Sequence, residues 1–557
     1  MKFATLASAS LGALCASSVV AAIDPLTIKG SKWFNSKTGE QFYFKGIAYQ
    51  PRTGLKSNPD PLADTVGCKR DVAVFKDLGI NSIRVYDVDY TKSHDECMKL
   101  LEDAGIYLLL DMPSPQYSIN RAEPHWDHDT MSHWQAKVDA FSKYPNLVAW
   151  IAGNEVANDV ETTPSAAFVK AAIRDMKAYL KTKKLTTPVG YADNDDPKIR
   201  MNLINFFNCG DEGSRADFYG INTYRWCGDE TNFKTSGYED ITKNMTSYTI
   251  PSLLTEYGCN LVRPRTFSEV KSLYGTDMGS TFSGGILYEY TEEDNEYGVV
   301  KVSFGDSKVE KNGDYDNFKK ALAAVKPQGV KMDSYKASGK DSVCPAASNV
   351  WHVKSDVLPP TPSQARCQCM IDSLGCTFKS DKLSTDEGKL VGEVVGNICG
   401  ATSCDEISVD TAKGMYGDFS ACSSLQRSAW AVNKNYENQN GAVCEAGDVE
   451  TKIIGNPKQG DVKKCLSEKD DNGVAGKPSG SGSGSSSSKD EDNSDDSDSK
   501  DEDNSDENDS DENSDENDSD DSGSDEDIDE DSDTSSGASA VPAQLSAAVA
   551  AALLLAF

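Results

Sequence analysis

Eight short runs rich in β-branched and aromatic residues recur between helix-like stretches in residues 23–340, and this alternation most constrains the fold. Stretches such as 64–78, 93–104 and 164–180 are the predicted helices between them. Eight strands alternating with helices is the number that a closed parallel barrel needs. We therefore predict a (β/α)8 (TIM) barrel, an α/β fold, over residues 23–340. The predicted strands are residues 42–47, 82–86, 106–111, 147–151, 188–191, 218–222, 252–256 and 285–290.

The cysteines divide the chain into two parts. Of fifteen cysteines, Cys15 lies in an N-terminal apolar segment, which leaves an even fourteen. In a secreted chain this number favours disulfides over metal ligands. Six lie between Cys68 and Cys344 and eight between Cys367 and Cys465, so each group can close within its own domain.

A second, smaller domain is predicted after a proline-rich segment. Residues 341–365 contain the run Leu358-Pro-Pro-Thr-Pro362, which is typical of an interdomain linker. The next 100 or so residues, 366–466, carry the eight remaining cysteines, so their stability should depend on disulfides more than on a core. We predict a small, mainly α-helical module there, with Cys399 and Cys404 close enough to bridge a tight loop.

Both ends of the chain resemble targeting signals. Residues 1–22 hold one lysine and an apolar run before Ile23, which predicts a cleaved secretory signal. Residues 536–557 form an apolar tail after small residues, which predicts a glycosylphosphatidylinositol anchor at Ser536 or Gly537. The alternative is a stop-transfer helix, which normally has about 20 apolar residues and basic flanks. The anchor would attach the protein to the outer face of the plasma membrane or to the cell wall.

The net charge of −33 is concentrated in one segment. Residues 489–533 hold 26 acidic residues against Lys489 and Lys500, a net of −24 that leaves −9 for the remainder. Residues 467–535, Gly/Ser-rich and then acidic, should form a disordered spacer, although weak calcium binding is an alternative. The folded part has no basic face to suggest a nucleic-acid partner, and we expect neither a cofactor nor a resident metal.

Two glutamates follow apolar strands of the predicted barrel. The fourth run continues to Asn154-Glu155, and the seventh ends at Glu256. Active sites of such barrels lie at the carboxyl ends of the strands. A carboxylate in an apolar setting is costly unless it is paired or used, so each glutamate alone could be a salt-bridge partner. The occurrence of both at strand ends favours an active site.

Two carboxyl groups facing each other across a cleft are the requirement of glycoside chemistry. In this scheme Glu256 is the nucleophile, Glu155 is the proton donor and then the base, and Asn154 binds the neighbouring sugar hydroxyl. A separation of about 5–5.5 Å between the carboxyl groups predicts retention of configuration, and about 6.5–9.5 Å predicts inversion.

Several motifs extend this interpretation to a family. They are Tyr86, Lys92-Ser-His-Asp-Glu-Cys97, Gly153-Asn-Glu155, Asn194-Asp-Asp196, Asp217-Phe-Tyr-Gly-Ile-Asn222, Glu256-Tyr-Gly-Cys259 and Gly284-Gly-Ile-Leu-Tyr288. Together they resemble the fungal β-1,3-glucanosyltransferases of glycoside hydrolase family 72, which cleave an internal β-1,3-glucan bond and transfer the new end to the non-reducing end of another glucan. The resemblance implies that Glu155 and Glu256 are the catalytic pair.

The resemblance also implies a set of sugar-contacting residues and three disulfides. The pairs are Cys68–Cys97, Cys209–Cys344 and Cys227–Cys259. Aromatic faces suit the apolar faces of glucose, and charged groups suit its hydroxyls. For any one tyrosine, a half-buried core position is the alternative. The implied residues are Gln50, Tyr86, Asp111, Asn154, Asp195, Arg200, Tyr224, Tyr290 and Tyr297.

The cysteine-rich module resembles the X8 type of β-1,3-glucan-binding module. Four of its aromatic residues could stack on sugars or could form its small core: Tyr416, Phe419, Trp430 and Tyr436. Asn244 begins a sequon for N-glycosylation.

Two other functions compete with transfer. One is an endo-β-1,3-glucanase with the same two glutamates. The other is a non-catalytic wall component that tethers glucan, although a barrel without activity has no reason to keep both glutamates.

Overall fold

The computed structural model describes residues 23–51, 60–455, 457 and 462–468. The predicted signal (1–22), the acidic segment, and the anchor with Ser536 and Gly537 therefore lie outside the described residues. Among the helices that are described, none combines the length and the apolar character needed to cross a bilayer.

Eight parallel strands close into a barrel in the order β10-β3-β4-β5-β6-β7-β8-β9. Each strand is almost entirely buried because it faces the barrel interior on one side and the helices on the other. The predicted (β/α)8 fold is confirmed. The barrel strands are β3 Phe44–Ala48, β4 Ser82–Val85, β5 Tyr107–Asp111, β6 Leu147–Asn154, β7 Val189–Asn194, β8 Tyr219–Thr223, β9 Ser252–Tyr257 and β10 Phe282–Leu287.

Helices follow the strands on the outside of the barrel. Helix α1 shows the local signals well: Asp64 accepts a hydrogen bond from the N–H of Gly67 at the start, and Gly79 ends the helix in a left-handed conformation. Helix α4 starts with Pro164, a position where the missing N–H costs nothing. The helices are α1 Thr65–Leu78, α2 Asp95–Asp103, α3 His128–Phe141, α4 Pro164–Thr182, α5 Arg200–Phe207, α6 Tyr238–Met245, α7 Glu269–Leu273 and α8 Gly313–Ala324.

The last barrel strand lies three residues earlier than predicted. The sequence pattern placed it at residues 285–290, but β10 runs Phe282–Leu287. Its two glycines hide it from a pattern based on β-branched residues. At Gly284, φ is 92° and an added Cβ would lie 2.2 Å from the carbonyl oxygen of Phe44 on β3, so the close approach of these strands requires glycine.

A β-hairpin covers the amino-terminal end of the barrel. It consists of β1 (Leu26–Lys29) and β2 (Lys32–Asn35), which pair antiparallel. Trp33 is 1% exposed. Its ring packs edge-on against Phe44 at the start of β3 and against Phe218 just before β8. This end is closed, which leaves the carboxyl ends of the strands for a site. A short antiparallel pair, β11 (Val300–Lys301) and β12 (Glu310–Lys311), follows the barrel.

Seven disulfides connect the fourteen cysteines of the two groups, and each bridge stays within its group. The barrel contains the three pairs that the resemblance implies: Cys68–Cys97, Cys209–Cys344 and Cys227–Cys259. The module contains Cys399–Cys404, as the spacing suggested, and three bridges whose connectivity the sequence left open: Cys367–Cys422, Cys369–Cys465 and Cys376–Cys444.

The module is built around three helices, α9 Gln364–Asp372, α10 Thr385–Ala401 and α11 Ser424–Asn438. Both α10 and α11 begin with a capping box, at Ser384 and Ser423. Short strands pair as β13 (Cys376–Phe378) with β16 (Thr451–Ile453), and as β14 (Val409–Asp410) with β15 (Met415–Tyr416). A 3₁₀ helix at Val462–Ser467 brings in Cys465. The mainly helical character is as predicted.

The segment predicted as a linker packs on the barrel. Trp351 and Val353 are fully buried in the barrel's hydrophobic core, and the Trp351 ring lies 5.2 Å from that of Phe206 on α5. Further along, Arg174 on α4 donates to the carbonyl oxygen of Pro359 at 2.9 Å. The stiff proline run is therefore a strap across the barrel surface rather than a free spacer.

Candidate active site

Both predicted glutamates lie at the open end of the barrel. Glu155 follows directly after β6, and Glu256 is the next-to-last residue of β9. Glu256 is 2% exposed, and Glu155 is half-buried. Each strand ends where its run of buried apolar residues gives way to polar side chains.

Glu256 is held by three donors. Nη1 of Arg84 lies 3.1 Å from Oε1 and the Tyr86 hydroxyl donates to the same oxygen at 3.0 Å. The Tyr224 hydroxyl donates to Oε2. Burial raises the pKa of Glu256, while the Arg84 charge and the hydrogen bonds from Tyr224 and Tyr86 act to lower it. These three donors favour the ionised form, which a nucleophile needs.

Arg84 is the buried cation at the centre of the site, and the sequence interpretation missed it. Its side chain is fully buried in β4. It forms two hydrogen bonds with Asp111, at 3.0 and 2.8 Å, and further ones with Glu256 and Asn154. Both oxygens of Asp111 accept from Arg84, and the contact of Asp111 with sugar stays a prediction. An arginine inside an apolar strand is costly unless paired, and that is the signal that could have identified it.

Glu155 has a different environment. Nδ2 of Asn222, on β8, donates to its Oε1 at 2.8 Å. Burial, and then the charge of Glu256, raise the pKa of Glu155 to about 7. A carboxyl group with this pKa keeps its proton near neutral pH, as a proton donor must.

Asn154 connects the two carboxyl groups. Its Oδ1 accepts hydrogen bonds from Nη2 of Arg84 at 3.1 Å and from Nδ2 of Asn222 at 2.9 Å. Arg84 also binds Glu256, and Asn222 also binds Glu155. The two glutamates therefore belong to one hydrogen-bond network, in which Glu256 accepts from Arg84 and two tyrosine hydroxyls while Glu155 accepts from one amide.

Asp195 and Arg200, both predicted to contact sugar, form an ion pair beyond β7. Arg225, just after β8, forms an ion pair with the other oxygen of Asp195. Thr223 donates to Asp195 at 2.9 Å. Burial raises the pKa of Asp195, and Arg225 and Arg200 lower it. The sequence interpretation did not include Arg225 in this cluster.

Three tyrosine rings stand together beside Glu256. The ring of Tyr224 lies 6.1 Å from that of Tyr288 and 5.5 Å from that of Tyr297, and Tyr288 and Tyr297 are 5.3 Å apart. All three pairs are edge-on. Tyr224 and Tyr297 were among the predicted residues. Tyr288, the residue after β10, was quoted only as part of a motif.

Tyr290 does not join this group, contrary to our expectation. It is fully buried between Tyr49 and Phe75, and its hydroxyl donates to Asp71 on α1. The reason is the earlier end of β10, which places Tyr288 at the cleft and turns Tyr290 into the core. Gln50, another predicted residue, accepts hydrogen bonds from the N–H groups of Tyr86 and Asp87, both at 3.1 Å.

The aromatic residues of the module serve its packing. Phe419 and Trp430 are 2% and 5% exposed within the module core, and Tyr436 packs against them. The ring of Tyr416 lies edge-on to that of Phe168 on α4 of the barrel, at 6.2 Å. For Phe419, Trp430 and Tyr436 the structure favours the module core, whereas Tyr416 packs against the barrel.

Asn244 lies half-buried on α6, and its glycosylation stays a prediction. Within the described residues, no group of three or more His, Cys, Asp or Glu side chains could hold a metal ion.

Fold and site together define a class: a (β/α)8 protein with a buried carboxyl pair suited to glycoside chemistry. A family model described as glucanosyltransferase, of glycoside hydrolase family 72, matches residues 15–326. An X8 domain model matches residues 374–451. The chain belongs to this glucanosyltransferase family and contains an X8 domain, which confirms the resemblance found in the sequence.

This chain aligns with known relatives over most of their length. A 1,3-beta-glucanosyltransferase of Arthroderma benhamiae is 42% identical over 482 residues, which cover 81% of this chain and 86% of that protein. The 1,3-beta-glucanosyltransferase GAS2 of Saccharomyces cerevisiae is 43% identical over 429 residues, covering 74% and 76%. A solved structure of a Saccharomyces cerevisiae Gas2p mutant in complex with laminaritetraose and laminaripentaose has a TM-score of 0.72 and 40% identity, covering 80% of this chain and 98% of that one.

Proposed function

We propose that this protein is a retaining β-1,3-glucanosyltransferase. One observation carries the proposal: two glutamates at strand ends of the barrel share one hydrogen-bond network, in which the pKa of Glu155 is raised to about 7 and Glu256 is surrounded by donors. Family membership supplies the substrate class, since relatives bear this name and a mutant of one binds laminari-oligosaccharides.

In the first step Glu256 attacks the anomeric carbon of an internal glucose. The C1–O bond to the next sugar breaks, and Glu155 gives its proton to the departing oxygen. Arg84, Tyr86 and Tyr224 hold Glu256 in the ionised form and in place. Because Oδ1 of Asn154 accepts from Arg84 and Asn222, its NH₂ group donates to the sugar 2-hydroxyl.

In the second step the covalent glucosyl group passes to an acceptor. Glu155, now ionised, takes the proton of a hydroxyl at the non-reducing end of another glucan, and that oxygen attacks C1 and releases Glu256. The ring of Tyr224 offers an apolar surface to sugar, and the buried rings of Tyr288 and Tyr297 hold it in place. Exclusion of water by a bound acceptor favours transfer over hydrolysis.

We propose further that the protein acts on the cell wall. The X8 domain binds β-1,3-glucan beside the barrel. The predicted secretory signal and glycosylphosphatidylinositol anchor, together with the acidic spacer, place the enzyme outside the plasma membrane, attached to the membrane or the wall.

Incubation of the purified protein with a reduced β-1,3-glucan oligomer tests transfer against hydrolysis. Products longer than the input are expected. If only shorter products form, the protein is an endo-β-1,3-glucanase, and if none form, it is a non-catalytic wall component. NMR of the first transfer products tests retention, because a double displacement forms the new glycosidic bond in the β configuration.

Glu256→Gln should abolish turnover and leave glucan binding intact, since the amide keeps the shape but cannot attack carbon. The matched control is Glu212→Gln, on a surface loop after α5, which should leave activity unchanged. Unchanged turnover in Glu256→Gln would remove this residue from the nucleophile role.

A further inference from the structure

Glu155 has an unusual backbone conformation. Its φ is 49°, in the left-handed region that favours glycine. Residues in such conformations persist only where the surrounding structure holds them, and they concentrate at functional sites. The direction of the Glu155 side chain depends on this backbone, so whatever holds the backbone also aims the carboxyl group.

Two contacts hold the backbone of Glu155. Its N–H donates to the carbonyl oxygen of Ala192 on the neighbouring strand β7 at 2.8 Å. Its own carbonyl oxygen accepts from Nη2 of Arg121 at 2.7 Å. The first contact belongs to the barrel, but the second comes from a loop between β5 and α3.

This loop, residues 119–126, is anchored at both ends, and we call it the Arg121 loop. Ile119 and Trp126 are 6% and 1% exposed. The indole N–H of Trp126 donates to Asp175 on α4 at 2.9 Å, and Thr361 of the strap donates to the other oxygen of Asp175 at 2.7 Å. The loop that carries Arg121 is therefore held in place at both ends.

We propose that Arg121 is a positioning residue for the proton donor: by binding the carbonyl oxygen of Glu155 it fixes the left-handed backbone and aims the carboxyl group at the glycosidic oxygen. The inference rests on the proposed function, because it assumes that Glu155 transfers a proton. It extends that function by adding a residue, outside the motifs of the sequence, on which the transfer depends.

The charge of Arg121 adds a second, separable effect. The charged and titratable groups that influence Glu155 are Glu256, which raises its pKa, and Arg121 and Arg84, which lower it. Asp193 and Tyr191 also interact with Glu155. Loss of the Arg121 charge should therefore raise the pKa of Glu155 further. A residue that only anchored the loop would shift this pKa as well, but its loss would lower the rate to the same extent whether or not the departing group needs a proton.

The test compares Arg121→Gln and Arg121→Lys with the wild type on two substrates. One is a reduced β-1,3-glucan oligomer, whose departing oxygen needs a proton. The other is a dinitrophenyl β-glycoside of a laminari-oligosaccharide, whose leaving group does not need one. The control is Arg215→Gln, because Arg215 forms an ion pair with Asp341 away from the two glutamates.

For Arg121→Gln we expect the first-turnover rate on the glucan oligomer to fall about tenfold or more, because misplaced acid catalysis forfeits much of its effect. Release of dinitrophenolate in the first turnover should change by less than about twofold, since that step uses no proton donor. The basic limb of the pH–rate profile should move to higher pH. Arg121→Lys keeps the charge, so it should lose rate with little movement of that limb.

Equal losses on both substrates would overturn the inference and leave Arg121 as a loop anchor, whatever the pH profile does. If Arg121→Gln does not fold, as judged by circular dichroism, Arg121→Lys supplies the comparison between substrates, and an equal loss in it also overturns the inference. A wild-type protein inactive on both substrates would instead contradict the proposed function.

Discussion

The hydroxyl of Tyr224 donates a hydrogen bond to Oε2 of Glu256, the oxygen opposite the one that Arg84 and Tyr86 bind. The carboxylate is thus held from both sides. This arrangement prevents rotation about the carboxyl bond and offsets part of the cost of burying the charge.

Tyr224→Phe should lower kcat by about tenfold to a hundredfold, the value of a hydrogen bond to a charged group. Tyr224 lowers the pKa of Glu256, so its loss raises that pKa and moves the acidic limb of the pH–rate profile to higher pH. The measurement is transfer rate against pH. Tyr43→Phe is the control, because the Tyr43 hydroxyl donates to Gly279 at the other end of the barrel. An unmoved acidic limb in Tyr224→Phe would contradict the prediction.

Activity on glucan should decline as the pH rises above about 7. Glu155 must carry its proton to act as the donor, and burial and the charge of Glu256 raise its pKa to about 7. Above that pH the ionised form dominates and protonation of the departing oxygen is lost. The measurement is kcat/KM of transfer from pH 4 to pH 9, and a plateau that continues to pH 9 would refute the assignment.

Glu269 should make the fold less stable at alkaline pH. It is 3% exposed on α7, and burial raises its pKa to about 7. A carboxyl group with a raised pKa in the folded state favours folding below its unfolded pKa, and this advantage is lost as pH rises through the folded value. Between pH 5 and pH 8 this carboxyl group should therefore cost the wild type on the order of 2 kcal/mol of unfolding free energy. Glu269→Gln lacks the titrating group, so it should not show this loss. Urea unfolding at both pH values measures it, and Glu212→Gln, at an exposed position after α5, is the control.

Asp111→Asn should destabilise the fold and lower kcat together. Arg84 and Asp111 are a buried pair at 2.8 Å. Removal of the Asp111 charge leaves Arg84 with Glu256 as its remaining charged partner, and breaking a buried pair costs about 3–5 kcal/mol. The control is Asp139→Asn, which breaks a half-exposed pair with Lys183 and should cost less than about 1 kcal/mol. Urea unfolding and transfer rates measure both. Stability equal to that of the control would show that Arg84 does not depend on Asp111.

The sequence predicted those parts of the site that follow from strand ends. Glu155 and Glu256 were identifiable because a carboxylate follows an apolar run in each case. Arg84 was missed although a cation inside a strand is a comparable signal. Arg121 could not be predicted, because its loop has no pattern and its contact is with a backbone carbonyl. The core position of Tyr290 was not foreseen, because the glycines of β10 obscured where that strand ends.

Tyr288 and Tyr290 provide a direct test of this correction. Tyr288 stands with Tyr224 and Tyr297 beside Glu256, so Tyr288→Ala should raise KM for glucan oligomers about tenfold, because the Tyr224 ring loses the neighbour that holds it. Tyr290 donates to Asp71 in the core, so Tyr290→Phe should cost about 1–2 kcal/mol of stability with KM unchanged, because Asp71 loses a donor. Oligomer titrations and urea unfolding of both variants measure this. A raised KM in Tyr290→Phe with unchanged KM in Tyr288→Ala would restore the original assignment.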